Sequence, residues 1–343
     1  MRYFAGLDVS LEETSVCVVD EDGAILREGK AASEPAALID WLAGAGVELH
    51  RVGLEAGPLS PWLYDGLPGA GLPAVCIETR RMKGATAAMA VKTDRNDARA
   101  IAQAIRVGWF TAVHVKSADS QELRLLLTNR KTLLATQLVL DNEIRGTLKA
   151  FGLKVGPVTP ATFEGRVTEL LADRPRLLSM VAPMLTARDA LRRQFAVLHR
   201  MMLRAARTHP ACPRLMTVPG VGAVVALTYA TAVDAPERFV HSRDVGAHFG
   251  LTPRKYASGE IDRNGAISKS GDRMARQALF QAALSLITRT HRWSPLKAWG
   301  MALAKRRGMK RATVAVARKL AVLLHRLWSD QADFRWSSEA VAG

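Results

Sequence analysis

Asp94 and Asp97 stand three residues apart in the stretch Val91-Lys92-Thr93-Asp94-Arg95-Asn96-Asp97-Ala98-Arg99, with Ile101, Ala102 and Ile105 following at helical spacing. That spacing predicts both carboxylates on one face of a helix's first turn. At about 4 Å and an effective dielectric near 20, two such anions repel by roughly 4 kcal/mol, which solvent or a bound cation must relieve. Taken alone, the stretch fits a plainer reading equally well: Thr93 as N-cap, with acids favoured by the helix dipole. Two further carboxylates shift the balance. Asp8 falls near the end of a first predicted strand and Glu55 ends a fourth, and the carboxyl ends of neighbouring strands in an open sheet converge on one rim. Four hard oxygen ligands in one cleft suit Mg²⁺ or Mn²⁺, and two such ions about 4 Å apart stabilise both the attacking and the leaving oxygen at phosphorus. Singly, Asp8 or Glu55 reads as a strand-end carboxylate facing water; the set of four is the specific signal.

The elements that must position these groups follow from periodicity. Residues 3–9 and 14–19 read as strands, Asp20-Glu21-Asp22-Gly23 as a turn and residues 24–27 as a third strand. Ser33 as N-cap, Pro35 in the first turn and the stripe Ala37, Leu38, Trp41 and Leu42 predict a helix ending near Gly44. A strand over 51–55, a short helix over 61–67 and a strand over 73–77 precede the Asp94 helix. The order is that of a ribonuclease-H-like mixed sheet, an α/β domain.

Charge divides the chain. Its 343 residues carry 48 Lys and Arg against 32 Asp and Glu, net +16. Residues 1–100 hold 10 basic and 15 acidic side chains, whereas residues 101–343 hold 38 and 17. A surplus of this size points to a polyanionic partner, nucleic acid above all, because each neutralised phosphate releases condensed counterions. An acidic cleft in such a molecule makes sense if metal ions bridge carboxylates to phosphates. No apolar run reaches the roughly 18 residues of a membrane span, and no signal-peptide layout opens the chain, so a cytoplasmic protein without a membrane partner is expected. Cys17, Cys76 and Cys212 are isolated and odd in number, which suggests neither a disulfide framework nor a zinc site.

From Ser117 onward the pattern is helical. Residues 121–148 carry a Leu-rich stripe beside Arg124, Lys131, Arg145 and Lys149; Gly and Pro over 152–160 break it. A second helical stretch, 163–207, is expected to be interrupted near Pro175 and Pro183. Its arginines favour contact with phosphates or with another copy of the chain over a merely solvated face. Val218-Pro219-Gly220-Val221-Gly222-Ala223 reads either as a helix-hairpin-helix turn that holds a phosphate or as a glycine turn between core helices. The segment 252–271 is poor in apolar residues, which predicts a long functional loop. It holds Arg254, Lys255, Arg263 and Lys269, with Arg273 and Arg276 just beyond, and cations on both sides of Ser258 suit a scissile phosphate. From residues alone, Ser258-Gly259 is more simply an ordinary turn. More Lys and Arg lie on predicted C-terminal helices, including residues 309–327, and the tail after Trp336 is expected to be loose.

With these residues in place the sequence resembles the DEDD transposases of bacterial insertion sequences, the one-ten family, also described as bridge-RNA-guided recombinases. The resemblance is carried by Gly6-Leu7-Asp8-Val9-Ser10, Leu54-Glu55-Ala56, Lys92-Thr93-Asp94 with Asn96-Asp97-Ala98, Pro219-Gly220-Val221-Gly222, Phe249-Gly250-Leu251-Thr252-Pro253-Arg254, Ser258-Gly259 and Ile267-Ser268-Lys269-Ser270-Gly271. It implies a RuvC-like domain over 1–115, a helical coiled-coil arm over 116–209, a mostly helical C-terminal transposase domain over 210–335 and a loose tail over 336–343. It further implies Asp8, Glu55, Asp94 and Asp97 as the Mg²⁺-binding (or Mn²⁺-binding) tetrad, and Ser258 as a nucleophile that links covalently to DNA at a composite site. Lys92, Arg254, Lys255, Arg263, Lys269, Arg273 and Arg276 are the expected nucleic-acid contacts. The implied partners are donor and target DNA, a structured noncoding bridge RNA that delegates sequence choice to base pairing, and further protomers, as dimers assembling to a tetramer. Gly57-Pro58-Leu59 departs from the Thr or Gly that other members carry there, which reshapes the loop beside Glu55. Glu260 and Asp262 stand as candidate general bases for Ser258. Two alternatives remain at this level: a RuvC-like metal nuclease of branched DNA using water, and a nucleic-acid-binding protein without catalysis.

Overall fold

A computed structural model describes residues 1–86 and 92–336; Val91 and the tail from residue 337 lie outside the described residues. The chain divides into two compact units, Met1–Lys116 and Ser117–Gly343.

The first unit is built on β1 (Tyr3–Val9), β2 (Glu13–Val19), β3 (Ile25–Ala32), α1 (Pro35–Ala43), β4 (Leu49–Glu55), α2 (Ser60–Gly66), β5 (Ala74–Ile77), α3 (Thr79–Thr86) and α4 (Asp94–Arg106). Its sheet runs β3-β2-β1-β4-β5, with β2 antiparallel to both β1 and β3, and β4 parallel to both β1 and β5. This is the ribonuclease-H-like mixed sheet expected from the element order. Side chains alternate across it, as the two-residue period of a strand requires. Ala5, Leu7, Val52 and Leu54 pack with Leu38, Leu42 and Leu63 on one face, whereas Phe4, Cys17 and Val19 pack with Ala98, Ile101, Ala102 and Ile105 of α4 on the other.

Three details differ from expectation. Strand β3 continues through Glu28 and Lys30 to Ala32, because it is an edge strand with no fully buried residue, so no apolar alternation marks its length. Ser33 does not cap α1; it is buried, donates to the Ser10 carbonyl at 2.7 Å and shares a 2.8 Å hydrogen bond with Thr14, leaving Glu34 as a cap without a side-chain bond. Helix α3 forms where no helix is expected.

The second unit holds α5 (Ala118–Lys149), α6 (Phe163–Leu170), α7 (Pro175–Thr208), α8 (Cys212–Leu215), α9 (Ala223–Val233), α10 (Asp244–His248), β6 (Pro253–Ser258), β7 (Ile261–Ile267), α11 (Arg273–Thr288), α12 (Pro295–Arg307) and α13 (Met309–Ser329). Helices α5 and α7 form an antiparallel pair: Leu127, early in α5, shares a core with Met202 and Ala206, late in α7, while Ile144 and Leu148 meet Val181 and Leu185. Contrary to expectation α7 runs unbroken through Pro183. The ring removes one backbone hydrogen bond, but the apolar contacts of Val181 and Leu185 on either side hold the helix across it. Helix α9 is the centre of the C-terminal core, buried from Ala226 to Val233, with the Tyr229 hydroxyl donating to the Ala321 carbonyl at 2.7 Å. No described helix is long and apolar enough to cross a membrane.

Candidate active site

In the register of β1 and β4, Gly6 pairs with Gly53 and Leu7 with Leu54. Both glycines lie beneath α4. A Cβ on Gly6 would stand 2.3 Å from the Ala102 nitrogen and the Ala98 carbonyl, and one on Gly53 2.4 Å from Ile105. Their lack of a side chain lets the helix backbone settle on the sheet. Two residues further along the same faces come Asp8 and Glu55, so the alternation that puts the glycines under α4 aims both carboxylates to the side from which α4 approaches. Asp8, Glu55 and the Gly57-Pro58-Leu59 loop line one pocket of about 200 Å³. That loop is pinned by Ser60, whose hydroxyl donates to the Glu55 carbonyl and accepts from the Gly57 N–H at 2.8 Å.

Helix α4 begins where expected: Thr93 is its cap, accepting from the Asn96 N–H at 3.2 Å, with Asp94 and Asp97 in the first turn. Both acids act on Asp8. Burial chiefly, then the charges of Asp97 and Asp94, push the Asp8 carboxyl up to about 6, against a partial offset from Lys92. Asp97 Oδ1 is buried without a hydrogen-bond partner. An acceptor-only oxygen left bare in this way carries a desolvation cost that a cation would remove.

The four carboxylates come together in part. Asp8 and Glu55 share a pocket, whereas Asp94 lines a neighbouring one of about 420 Å³ with Thr93, Arg95, Glu28 and Lys30. Among the described residues no three His, Cys, Asp or Glu side chains stand close enough to hold one metal ion. The four expected in a single cleft stand as a pair at the strand ends, Asp8 and Glu55, and a pair in the first turn of α4, whose charges reach Asp8. All four offer only hard oxygens, and with the unpartnered Asp97 oxygen that donor set fits Mg²⁺ or Mn²⁺ better than a softer metal.

Ser258 sits elsewhere, in the second unit. The segment 252–271, expected to be a loop, is a β-hairpin: β6 and β7 pair antiparallel from Pro253 with Ile267 to Ser258 with Ile261. Its sparse apolar content follows from exposure of every residue on both strands except Ile267, which leaves no buried face to write a pattern. Ser258 ends β6 at a two-residue turn whose first member, Gly259, takes φ +55°, the left-handed region that glycine adopts without strain. Lys255 pairs with Asp262 at 3.1 Å, and Arg263 lies 5.7 Å from the centroid of the Tyr256 ring. At the hairpin's root Arg254 donates to the Ser268 carbonyl at 3.3 Å, and Arg276 donates to the carbonyls of Phe249 at 3.0 Å and Ser270 at 2.7 Å. Arg276, expected as a phosphate contact, thus also braces the hairpin root. Gly220, in the candidate helix-hairpin-helix turn, is packed against the α11 backbone, a Cβ there falling 2.4 Å from the Ala282 carbonyl; with α8 only four residues long, a glycine turn between core elements describes it.

Residues 5–152 match the family model described as a DEDD transposase of the IS110 type, and residues 212–297 match that of the transposase IS116/IS110/IS902 family. Over 340 residues the chain is 30% identical to the transposase for insertion sequence element IS1111A of Coxiella burnetii, covering 96% of this chain and 90% of that one. The chain belongs to this transposase family. A putative transposase of Sinorhizobium fredii is 30% identical over 250 residues, 71% of the present transposase and 64% of the relative, and a probable family 20 transposase of Pseudomonas aeruginosa is 28% identical over 71% and 74%. Among solved structures, T. thermophilus RuvC in complex with Holliday junction substrate covers 33% of the transposase at 14% identity and a TM-score of 0.27, too slight a likeness to add to the strand order itself.

Sequence reasoning missed the residue that orients α4 in the transposase. Glu28, on edge strand β3, accepts Arg99 through both oxygens, at 2.8 and 2.9 Å, and also pairs with Arg95. A fork of this kind fixes the first turns of α4 against the sheet. The partners are about seventy residues apart in the chain, and no local pattern announces the pairing.

Proposed function

We propose that this insertion-sequence transposase cuts and rejoins DNA strands by Mg²⁺-dependent phosphoryl transfer, with Asp8, Glu55, Asp94 and Asp97 as the metal-holding tetrad and Ser258 as the nucleophile. The observation that carries the reading is the paired register of β1 and β4, which sets Asp8 and Glu55 under the helix whose Asp97 keeps a buried oxygen bare. Divalent ions held there supply charge stabilisation at the reacting oxygens. The chain's own groups divide the remaining work. Ser258 Oγ attacks phosphorus, the bond to the leaving deoxyribose oxygen breaks, and the hydroxyl proton passes to a carboxylate beside the turn. Glu260 is the more available acceptor, since Asp262 is engaged by Lys255. Return attack by a strand hydroxyl on the phosphoserine expels Oγ and rejoins the DNA.

Lys92, Arg254, Lys255, Arg263, Lys269 and Arg273 are assigned to phosphates, in keeping with the surplus of cations after residue 100. The family likeness supports a structured bridge RNA as guide, assembly as dimers into a tetramer, action in the bacterial cytoplasm, and a three-part organisation over 1–115, 116–209 and 210–335. The deciding experiment is denaturation of a reaction containing the full chain, Mg²⁺, cognate DNA and RNA. A covalent protein–DNA adduct is expected, lost in Ser258→Ala and in Asp94→Asn while RNA binding persists. Normal cleavage by Ser258→Ala without an adduct would instead make the tetrad a water-using nuclease.

A further inference from the structure

Two large grooves flank the hairpin root in the second unit, and their cations differ in one respect. In the groove of about 880 Å³ between α5, α9 and α11, most cations are already committed: Arg276 to two carbonyls, Lys131 to Gln277 at 3.1 Å and Arg130 to His199 at 3.1 Å. The second groove, of about 810 Å³, runs along one face of α13 between α12 and the chain near Phe334. Five cations line it, Arg311, Arg318, Lys319, Arg326 and Arg335; among the described residues none of them is in an ion pair, and no carboxylate lines the groove. Its floor is apolar and carries two aromatic rings, Trp299 and Phe334, with Lys319 Nζ 3.9 Å from the centroid of the Trp299 ring.

We propose that this groove binds a short unpaired stretch of a DNA strand, its bases against the apolar floor and its phosphates on the α13 cations. Charge decides for a polyanion: five cations, none in an ion pair among the described residues, and no anion line one trough. The floor decides for unpaired bases. A duplex buries its base faces in its own stack and needs only a cationic track, whereas aromatic and aliphatic surface between cations gives each freed base a face to stack on, sequence-tolerantly. The lining decides for DNA over RNA. Apart from the five cations every lining side chain is apolar, so a 2′-hydroxyl turned to the floor would lose its water with no side-chain acceptor in return, a cost that DNA does not carry. Leu251, Pro253 and Ile267 of the hairpin root also line the groove, which puts the site beside the segment bearing Ser258. Strand exchange requires DNA to be unpaired, so the site suits the established transposition of DNA without resting on the role proposed for Ser258.

The test is equilibrium binding of the full-length chain, without divalent ions, to a short oligothymidylate, the same-length oligouridylate and a duplex. Arg311→Ala with Arg318→Ala should weaken single-stranded DNA binding at least tenfold, duplex binding less than threefold, and lower the single-strand salt slope by about 1.4, as two lost phosphate contacts require. Ala315→Leu fills the groove without removing charge; it should weaken the single strand several-fold and leave the slope unchanged. Photocrosslinking through 5-bromouracil should label peptides containing Trp299 or Phe334. Equal losses for duplex and single strand, crosslinks confined to other segments, or oligouridylate bound as tightly as oligothymidylate would each overturn the proposal. The readout is binding without divalent ions and without cleavage, so failure of the nucleophile assignment leaves it untouched and the two failures give different results.

Discussion

Asp8 lies near the end of a strand whose neighbours Ala5 and Leu7 are fully buried, under a helix packed so closely that only glycine fits between them. Ser258 stands on a two-stranded hairpin exposed along nearly all its length, fixed at its root by Arg254 and Arg276 donating to backbone carbonyls. The first site is positioned by core packing and the second by turn geometry and a few polar stitches. The contrast teaches where each is vulnerable. A buried framework transmits a small change in volume to the carboxylates, whereas a hairpin in solvent absorbs substitution and depends on the one side chain at its turn.

The comparison breaks first at the chemistry. Asp97→Asn should lower Mg²⁺-dependent DNA cleavage by about 10³-fold, roughly 4 kcal/mol of barrier, and should also abolish the rise in melting temperature that Mg²⁺ gives the parent. Ser258→Ala should lose as much cleavage yet keep that Mg²⁺-dependent rise; if both variants lose it, the two sites are not separable in this way. Stability sharpens the contrast. Leu54→Ala, in the core beside Glu55, should cost about 2–5 kcal/mol in chemical denaturation, whereas Ile261→Ala, on the exposed hairpin, should stay within about 0.5 kcal/mol. Gly6→Ala should cost about 1–3 kcal/mol and weaken Mn²⁺ binding measured by calorimetry, because its Cβ must push α4 and its carboxylates off the sheet. Unchanged Mn²⁺ affinity would show that the strand–helix approach does not set the site.

The smallest effect is a pH dependence. The folded chain holds the Asp8 proton more tightly than the unfolded chain, with the carboxyl moved from 3.8 to about 6. In chelator the folded state therefore loses stability as pH rises across that window and remains without it above pH 6. Asp8 is partly solvated, so after screening the term is of order 1 kcal/mol. Asp8→Asn should then be the more stable protein at pH 8 in chelator, and the difference should vanish near pH 4; a parent as stable as Asp8→Asn at pH 8 would remove the strain attributed to burial of Asp8 beside Asp97 and Asp94.

Much of this was written locally. Alternation named β1, β2 and β4, the Thr93 cap and the Ile101 and Ile105 stripe named α4, and the order of these elements named the sheet, because period and capping are properties of neighbours in sequence. The second half of edge strand β3 and the hairpin stay hidden, since exposed strands need no apolar alternation, and Pro183 is a break in propensity that says nothing of packing across it.

The sequence by itself determined that two carboxylates share a helical turn, that two more end strands, and that cations dominate after residue 100. Tertiary structure alone decided that Gly6 and Gly53 lie side by side to admit α4, that Glu28 clasps Arg95 and Arg99 of that helix, and that the α13 cations rim an apolar groove while Arg276 is consumed at the hairpin root. The physical reason is separation along the chain: charge, period and caps act between near neighbours, but close backbone approach and the pairing of distant side chains exist only once the chain has folded.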